Sequence, residues 1–304
     1  MKKVISILAA AAIFAIPVVA KEEAQPKKET PQIVEKKGET AQQLIEGAGK
    51  RSTEKVKAEE LEKIVKEAVE VYQKGNKVLF LLTHNKIEEA KKELKELKSK
   101  LEEIEKKYEL ARLPVDAVIT EISGVTDLKQ AEKLANEAKK AVNENDFIKA
   151  RFILNALRDE IVVETAYLPI KLYKEAIELA DKFLQEGKVK NAISQIQVAL
   201  STIEIETTII PKPVAIASLL VEDASKVYEK EPEKAIKLLE EAKRQIKLAK
   251  VLGYVRTEEE IKPIVEQIEK LEKAIKEKST SSKEKFEKLQ KSLEETKQKA
   301  TQTR

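Results

Sequence analysis

Hydrophobic positions recur at helical spacing from about residue 53 to the end of the chain. Two stretches alternate steps of three and four residues, the heptad pattern of a helix that packs along a partner helix. The first seam consists of Ile87, Ala90, Leu94, Leu97, Leu101, Ile104 and Tyr108. The second consists of Ile261, Ile264, Ile268, Leu271 and Ile275. The first seam predicts a partner that is either the preceding helix, folded back as a hairpin, or another subunit.

A short motif recurs where several helices begin. A turn residue is followed four or five positions later by alanine, and then four positions later by Ile or Leu; the copies start at Asn85, Asn145, Gly187 and Glu231. The small alanine lets two helices cross closely, as in helical-hairpin repeats. At the first copy, Asn85 and Glu88 have the spacing of a capping box. The motif therefore predicts a bundle of repeat-like antiparallel hairpins.

One segment, near 114–123, departs from helical periodicity. It begins with Pro114, is rich in β-branched residues and is followed by Gly124, so it predicts a short extended segment. Thr126 or Asp127 is then placed to cap the next helix. The predicted fold class is all-α, with this one extended segment and a C-terminal coiled-coil-like extension.

The N-terminal residues read as an export signal. Lys2 and Lys3 precede an apolar stretch that ends at Pro17, and Val18 and Ala20 supply the small residues of a cleavage site. We expect cleavage after Ala20 and a periplasmic protein with no transmembrane segment in the mature chain. The predicted organisation is a signal peptide at 1–20, a flexible linker at 21–52, a helical domain at 53–255 and a charged helical extension at 256–304.

Composition narrows the class of partner. The 304 residues include no cysteine, one histidine and many Lys and Glu, a usage that resembles thermophile proteins. The net charge is +4, which falls to about +2 without Lys2 and Lys3. Positive and negative residues are interspersed, whereas nucleic-acid proteins concentrate basic residues on one face. We therefore expect no nucleic-acid partner.

The residues that catalytic and metal sites require are scarce. Without cysteine and with only His84, neither a zinc site nor a nucleophile–histidine pair can be assembled from local motifs. The seven glycines are scattered and form no phosphate-binding loop. We expect no cofactor, no metal and no enzyme activity, although carboxylates brought together by folding leave a hydrolase as the least favoured alternative.

A duplication supplies the candidate ligand-binding residues. Glu164-Thr165 and Glu206-Thr207 each lie among apolar residues just before a proline, Pro169 and Pro211, and the two prolines are 42 residues apart. Each pair is expected to lie beside a proline kink, where Glu bonds the freed backbone groups or contacts a ligand.

An ordered series of stretches resembles the YfdX family of exported bacterial proteins across roughly residues 56–255. The stretches are Leu113-Pro114-Val115-Asp116; Leu134-Ala135-Asn136-Glu137-Ala138 followed by Asn145-Asp146 and Ala150; Leu168-Pro169 with the helix end from Ala180 to Gly187; and Leu252-Gly253-Tyr254. The resemblance implies a helical, oligomeric protein that is associated with acid and drug stress and has no established enzyme activity. It implies no transferable site residues.

These observations lead to one preferred function and two alternatives. The preferred function is a periplasmic, stress-associated, non-catalytic protein that binds small molecules or client proteins and forms homo-oligomers. The first alternative is a structural scaffold or spacer of the cell envelope that works through coiled-coil contacts. The second is the carboxylate-dependent hydrolase.

Overall fold

Residues 40–304 are described by a computed structural model, which places eleven helices and four strands in them. The helices are α1 (Ala41–Lys63), α2 (Lys66–Thr83), α3 (Ile87–Lys107), α4 (Leu128–Asn143), α5 (Phe147–Ala156), α6 (Ile170–Gln185), α7 (Val189–Leu200), α8 (Lys212–Val227), α9 (Pro232–Val251), α10 (Glu258–Lys276) and α11 (Ser282–Ala300). The strands are β1 (Arg112–Ile122), β2 (Glu160–Pro169), β3 (Glu204–Pro211) and β4 (Gln302–Thr303). The predicted, predominantly helical fold is confirmed.

The predicted hairpin motif has a common backbone geometry. Asn85, Asn145 and Gly187 all have positive φ, at 59°, 61° and 72°. After each of them, the next N–H donates to a carbonyl five residues earlier, as Lys86 does to Leu81 at 2.9 Å. This Schellman arrangement ends one helix and reverses the chain into the next. The motif alanines are all buried: Ala90, Ala150, Ala192 and Ala235.

The predicted helix caps have mixed outcomes. Asp127 caps α4 and accepts a hydrogen bond from the N–H of Gln130 at 2.8 Å. The capping box of Asn85 with Glu88 is wrong, because Asn85 adopts the left-handed conformation that ends α2. Lys86 takes the N-cap position of α3 without a side-chain cap bond.

The strands form one antiparallel sheet in the order β1-β2-β3-β4. β1 is the predicted extended segment, whereas β2 and β3 correct the expectation of helix on both sides of each proline. The residues before Pro169 and Pro211 are largely β-branched and alternate between two faces, which favours strand. The prolines do not kink a helix: Pro169 is the N-cap of α6, and Pro211 is the N-cap of α8.

Four of the five hairpins pack in pairs. The α2–α3 hairpin packs on α6–α7, forming the paired bundle, and α8–α9 packs on α10–α11. Both heptad seams are buried inside these pairs. The seam residues from Ala90 to Ile104 lie on α3, which packs against α2 and α6, and those from Ile261 to Ile275 lie on α10, which packs against α9 and α11. The partner of the first seam is therefore found within the chain. The α4–α5 hairpin has no partner hairpin within residues 40–304, and it contacts α9 through α4.

The predicted linker at 21–52 ends earlier than expected, because α1 begins at Ala41. Thr40 and Gln43 form a capping box at its start. The Arg51 guanidinium donates to both carboxylate oxygens of Asp223 in α8, at 3.2 and 2.5 Å, and this pair holds α1 on the domain. The predicted signal at 1–20 and the linker residues 21–39 lie outside the described residues.

The segment 256–304 continues the main body of the fold. Its helices, α10 and α11, pack on α8 and α9, and β4 pairs with β3. Thr40–Arg304 is one compact unit. None of its helices combines the length and apolarity that crossing a membrane requires.

Candidate functional site: two uncovered apolar surfaces

The sheet brings the four predicted ligand-binding residues together. The register of β2 and β3 places Glu164 opposite Thr207, and Thr165 opposite Glu206. Because neighbouring positions in a strand point to opposite faces and cross-strand partners share a face, the four residues divide two and two. Glu164 and Thr207 lie on one face, and Thr165 and Glu206 on the other.

Thr165 and Glu206 lie on the face that the rest of the domain covers. This closed face carries Ile161, Val163 and Ile210, which form an apolar cluster with Val56 of α1 and Ala215 of α8. Thr165 is buried there. Glu206 forms an ion pair with Arg112, whose guanidinium lies 4.3 Å from the centre of the Tyr167 ring. The hydrogen bond to Glu206 raises the pKa of Arg112. Glu206 therefore fixes the start of β1 against β3.

Glu164 and Thr207 lie on the opposite face, which is largely uncovered. On this open face, the register aligns Val118 with Glu164, and Ala166 with Ile205. Glu164 and Val118 are exposed, and Ile205 is 55% exposed. The remaining members of the open face are Asp116, Thr120, Val162, Thr207 and Ile209. β4 adds Gln302 opposite Ile209 and Arg304 opposite Thr207 to the same face. Among residues 40–304, this face is therefore a partly exposed surface with both apolar and charged side chains.

A second uncovered surface runs along α5. Seven of the ten residues of this helix are apolar, yet only Ala150 and Ile153 are buried. The exposed stripe consists of Phe147 (63%), Ile148 (87%), Phe152 (76%) and Leu154 (52%). It presents apolar surface on the order of 500 Å², which is near the upper end for the largest patch of an ordinary monomer. The three polar residues of α5, Lys149, Arg151 and Asn155, are also exposed.

A network of polar groups anchors the base of the α4–α5 hairpin, where the chain enters β2. The Asp159 N–H donates to the Tyr254 hydroxyl at 2.8 Å, and that hydroxyl donates to Glu160 at 3.1 Å. Arg158 donates to the same Glu160 carboxylate at 2.7 and 3.0 Å. The Lys212 ammonium lies 3.8 Å from the Asp159 carboxylate and pairs with Glu121.

Asp159 has the most unusual environment in this network. Its side chain is fully buried, and its Oδ2 atom has no hydrogen-bond partner. Burial raises the pKa of Asp159, against the lowering effects of the Lys212 ammonium and the Gly124 N–H. Burial also raises the pKa of Tyr254. Asp159 is closed to solvent in this conformation.

Other parts of the described chain are weaker candidates for a binding site. A depression of about 450 Å³ between α8 and α11 has Tyr228 and Phe286 in its lining, with ring centres 5.1 Å apart, but most of the other lining residues are charged or polar. Small-molecule sites are usually more apolar and more enclosed. Within residues 40–304, no three or more His, Asp or Glu residues are arranged to hold a metal. His84 lies at the predicted helix–helix turn, exposed, with its ring 4.0 Å from that of Phe80.

The exposed stripe of α5 is not among the features predicted from the sequence. The signal was present in residues 147–156, where the apolar positions leave no polar side to the helix. Periodicity predicts which side of a helix is buried only when polar residues mark the other side. Only the tertiary structure shows that most of this apolar surface is uncovered.

Comparison with known proteins supports the predicted resemblance. A family model described as "YfdX protein" matches residues 71–208, from α2 to β3. The resemblance is therefore confirmed over a shorter range than the predicted 56–255. A solved structure of YfdX from Salmonella Typhi is 14% identical and is aligned over 47% of this chain and 90% of its own, with a TM-score of 0.33. The comparison with curated proteins found no match.

Proposed function

We propose, from the premise that residues 71–208 match the YfdX family, that this chain is a periplasmic, stress-associated protein that binds unfolded client proteins without catalysis and self-associates. The observation that carries the proposal is the exposed stripe of α5. The largest exposed apolar patch of a monomer is often functional, and the stripe is of that size. Export is supported by the signal pattern at 1–20.

The physical basis of client holding is apolar burial. An unfolded protein exposes apolar side chains that aggregate, and covering them contributes about 25 cal/mol for each Å² removed from water. Phe147 and Phe152 give the stripe two aromatic rings, which contribute large contact areas at interfaces. Lys149 and Arg151 are exposed on the same helix.

The alternatives have less support from the contacts. A coiled-coil scaffold requires an uncovered seam, and both seams are buried within the chain. A carboxylate-dependent hydrolase requires an accessible pair of carboxyl groups with perturbed pKa, whereas Asp159 is buried and held in a structural network. The charged lining of the depression near Tyr228 favours a protein client over an apolar small molecule.

Aggregation of reduced insulin tests the proposal directly. The chain has no cysteine, so the dithiothreitol that starts insulin aggregation leaves this protein unaltered. We expect substoichiometric amounts to lower light scattering, and the double substitution Ile148→Ser with Phe152→Ser to remove most of that effect. A matched control replaces two exposed leucines of α6, Leu172 and Leu179, with serine and should retain it. No change in scattering at an equimolar ratio would exclude client holding.

A further inference from the structure

Helix α1 meets the rest of the domain mainly through small residues. Its buried residues are Ala48, Gly49, Ser52 and Val56. Of these, Val56 alone has a large apolar side chain, and Leu44 and Ile45 near the start of the helix are half-buried. By contrast, α8 buries eleven residues and α9 buries nine. Because apolar stabilisation increases with the area removed from water, less apolar packing holds α1 than holds these helices.

The groups that α1 covers include buried charges. The Asp223 carboxylate, whose side chain is 7% exposed, pairs with Arg51 of α1 at 2.5 Å. The Lys212 side chain is also buried, and a Cβ atom at Gly49 would lie 3.3 Å from its Cε atom. The Lys212 ammonium pairs with Glu121 of β1. Helix α1 therefore packs on charged side chains, one of which it neutralises itself.

Burial of these charges works against the docking of α1. Ammonium and carboxylate groups lose hydration when the helix covers them, and ion pairing returns only part of that free energy. Release of α1 would hydrate Asp223 and Lys212 while exposing one large buried apolar side chain, Val56. Polar interfaces between units of one chain permit relative motion more readily than large apolar ones. The free energy that keeps α1 docked is therefore expected to be small and to depend on Arg51.

The connection between α1 and α2 provides a hinge. Ile64 and Val65 are extended, with ψ of 125° and 103°, and they separate the two helices. The Val65 N–H donates to the carbonyl of Pro114 in β1 at 2.9 Å, which fixes the start of α2. A change in the backbone angles of Ile64 therefore moves α1 while α2 stays in the paired bundle.

Release of α1 would uncover part of the closed face of the sheet. The apolar cluster on that face consists of Val56 of α1, Ile161 and Val163 of β2, Ile210 of β3 and Ala215 of α8. Ile119 of β1 packs against the same cluster. Without α1, this apolar surface would be accessible beside the charged groups of Asp223 and Lys212.

We propose that α1 is a reversible strap, locked by the pair of Arg51 with Asp223, that swings away at Ile64 and uncovers the closed face of the sheet while the rest of the chain stays folded. The strap is a conformational device that controls access to an apolar surface. It goes beyond the proposed function, because it concerns a movement within the chain and requires no client.

A single introduced cysteine reports the opening, because the chain has no other cysteine. Ser52→Cys exchanges one oxygen for sulfur at a buried position of α1, and Ala192→Cys places a control thiol at a buried position of α7 in the paired bundle. Reaction with the thiol reagent DTNB measures how often each position becomes exposed. Each rate is divided by that of the same chain unfolded in urea, which removes differences in thiol reactivity. We expect the Ser52→Cys thiol to react about tenfold or more faster than the control thiol.

Substitutions at the lock should change the opening of α1. In the Ser52→Cys chain, Arg51→Gln leaves Asp223 unpaired while α1 is docked, so we expect labelling to accelerate about tenfold. Arg51→Asp should accelerate it further, because it places two carboxylates together, and adding Asp223→Arg should reverse most of that effect. The matched control is Lys63→Gln, which breaks the pair of Lys63 with Glu60 inside α1 and should leave the rate unchanged.

A dye assay and the control thiol distinguish opening from unfolding. In the Arg51→Gln chain, binding of the apolar dye ANS should increase, while the rate of the Ala192→Cys thiol should not change. Equal rates for the Ser52→Cys and Ala192→Cys thiols would show that α1 leaves only when the whole chain unfolds, and would overturn the inference. An unchanged Ser52→Cys rate in the Arg51→Gln chain, or faster labelling without more dye binding, would overturn it as well. Client holding is measured separately by the insulin assay, since none of these measurements includes a client.

Discussion

The paired bundle and the α4–α5 hairpin use the same local design with different results. In the paired bundle, α2–α3 covers α6–α7, and Leu94, Leu97, Tyr173 and Ile177 are almost completely buried. In the α4–α5 hairpin, the same turn geometry and the same buried alanine lead to a helix whose aromatic residues are exposed. The hairpin motif specifies a chain reversal and a helix crossing. It does not specify whether a second hairpin is present.

The paired bundle and the α4–α5 hairpin also differ in the interactions that stabilise them. Apolar packing is the principal contact of the paired bundle, whereas the α4–α5 hairpin combines a small apolar cluster that includes Leu248 of α9 with the polar network around Asp159 and Tyr254 at its base. Apolar burial increases with the area covered, while buried polar groups stabilise only when each of them is satisfied. The hairpin is therefore expected to respond to changes in hydrogen bonding, and the bundle to changes in volume.

Truncating one apolar side chain in each region should give the largest difference in the free energy of unfolding. Leu97→Ala leaves a cavity in the first heptad seam, and we expect a loss of about 3 kcal/mol in the free energy of unfolding. Phe152→Ala removes an exposed ring and should change stability by about 0.5 kcal/mol or less. Urea unfolding followed by circular dichroism at low protein concentration measures both, since the chain has no tryptophan. Equal losses of stability in the two variants would contradict the view that Leu97 is packed and Phe152 is not.

A glycine substitution tests how closely the paired bundle is packed. A Cβ atom at Gly75 of α2 would collide with the Tyr173 hydroxyl and lie 3.2 Å from Leu200. We expect Gly75→Ala to destabilise the chain by about 2 kcal/mol through overpacking.

The matched control is Gly47→Ala in α1, where a Cβ atom meets nothing within 4 Å. Alanine has the higher helix propensity, so this change should stabilise by about 0.5 kcal/mol. Thermal unfolding of the two variants shows which one is stabilised and which one is destabilised. A stabilised Gly75→Ala variant would show that Tyr173 moves without cost.

Removing one hydroxyl group should loosen the base of the α4–α5 hairpin. Tyr254→Phe deprives the Asp159 N–H of its acceptor and Glu160 of a donor, and both groups are buried. We expect a loss of about 1.5 kcal/mol. Amide hydrogen exchange should accelerate at the Asp159 N–H.

The comparison variant Tyr228→Phe removes a hydroxyl that bonds the exposed Glu229, and it should be close to neutral. A Tyr254→Phe variant as stable as the Tyr228→Phe variant would indicate that water replaces the lost bonds.

The substitution with the smallest expected effect is at Asp159; it should stabilise the chain, by an amount that depends on pH. Because burial raises the pKa of Asp159, the folded chain binds a proton there more readily than the unfolded chain. The ionised carboxylate therefore costs stability at neutral pH, and that cost disappears as the pH falls through the raised pKa to the ordinary range. Asp159→Asn should stabilise by about 1 kcal/mol or less at pH 7.

The gain from Asp159→Asn should shrink steadily in unfolding experiments as the pH is lowered towards 4. Lys212 keeps Glu121 as its partner in this variant, so no ammonium is left without a counter-ion. A variant that is less stable than the wild type at pH 7 would mean that the Lys212 ammonium outweighs burial.

The sequence by itself determined the helical class, the hairpin starts at Asn85, Asn145 and Gly187, both heptad seams and strand β1. These features are local, because helical spacing and turn residues act over a few positions. The duplication singled out Glu164-Thr165 and Glu206-Thr207, but it predicted that they lie beside proline kinks in helices, and their placement opposite each other in β2 and β3 was not predicted. A strand is stabilised by neighbours that are distant in the chain.

Only the tertiary structure decided which surfaces remain open. Among residues 40–304, five hairpins cannot all be paired, and the sheet has one face towards α1 and α8 and one face that is only partly covered. Whether Phe152 or Leu97 is buried depends on what lies opposite each of them, and no local pattern contains that information. The sequence specified the apolar positions, and the packing of residues 40–304 decided which of them, such as those of the α5 stripe, remain exposed.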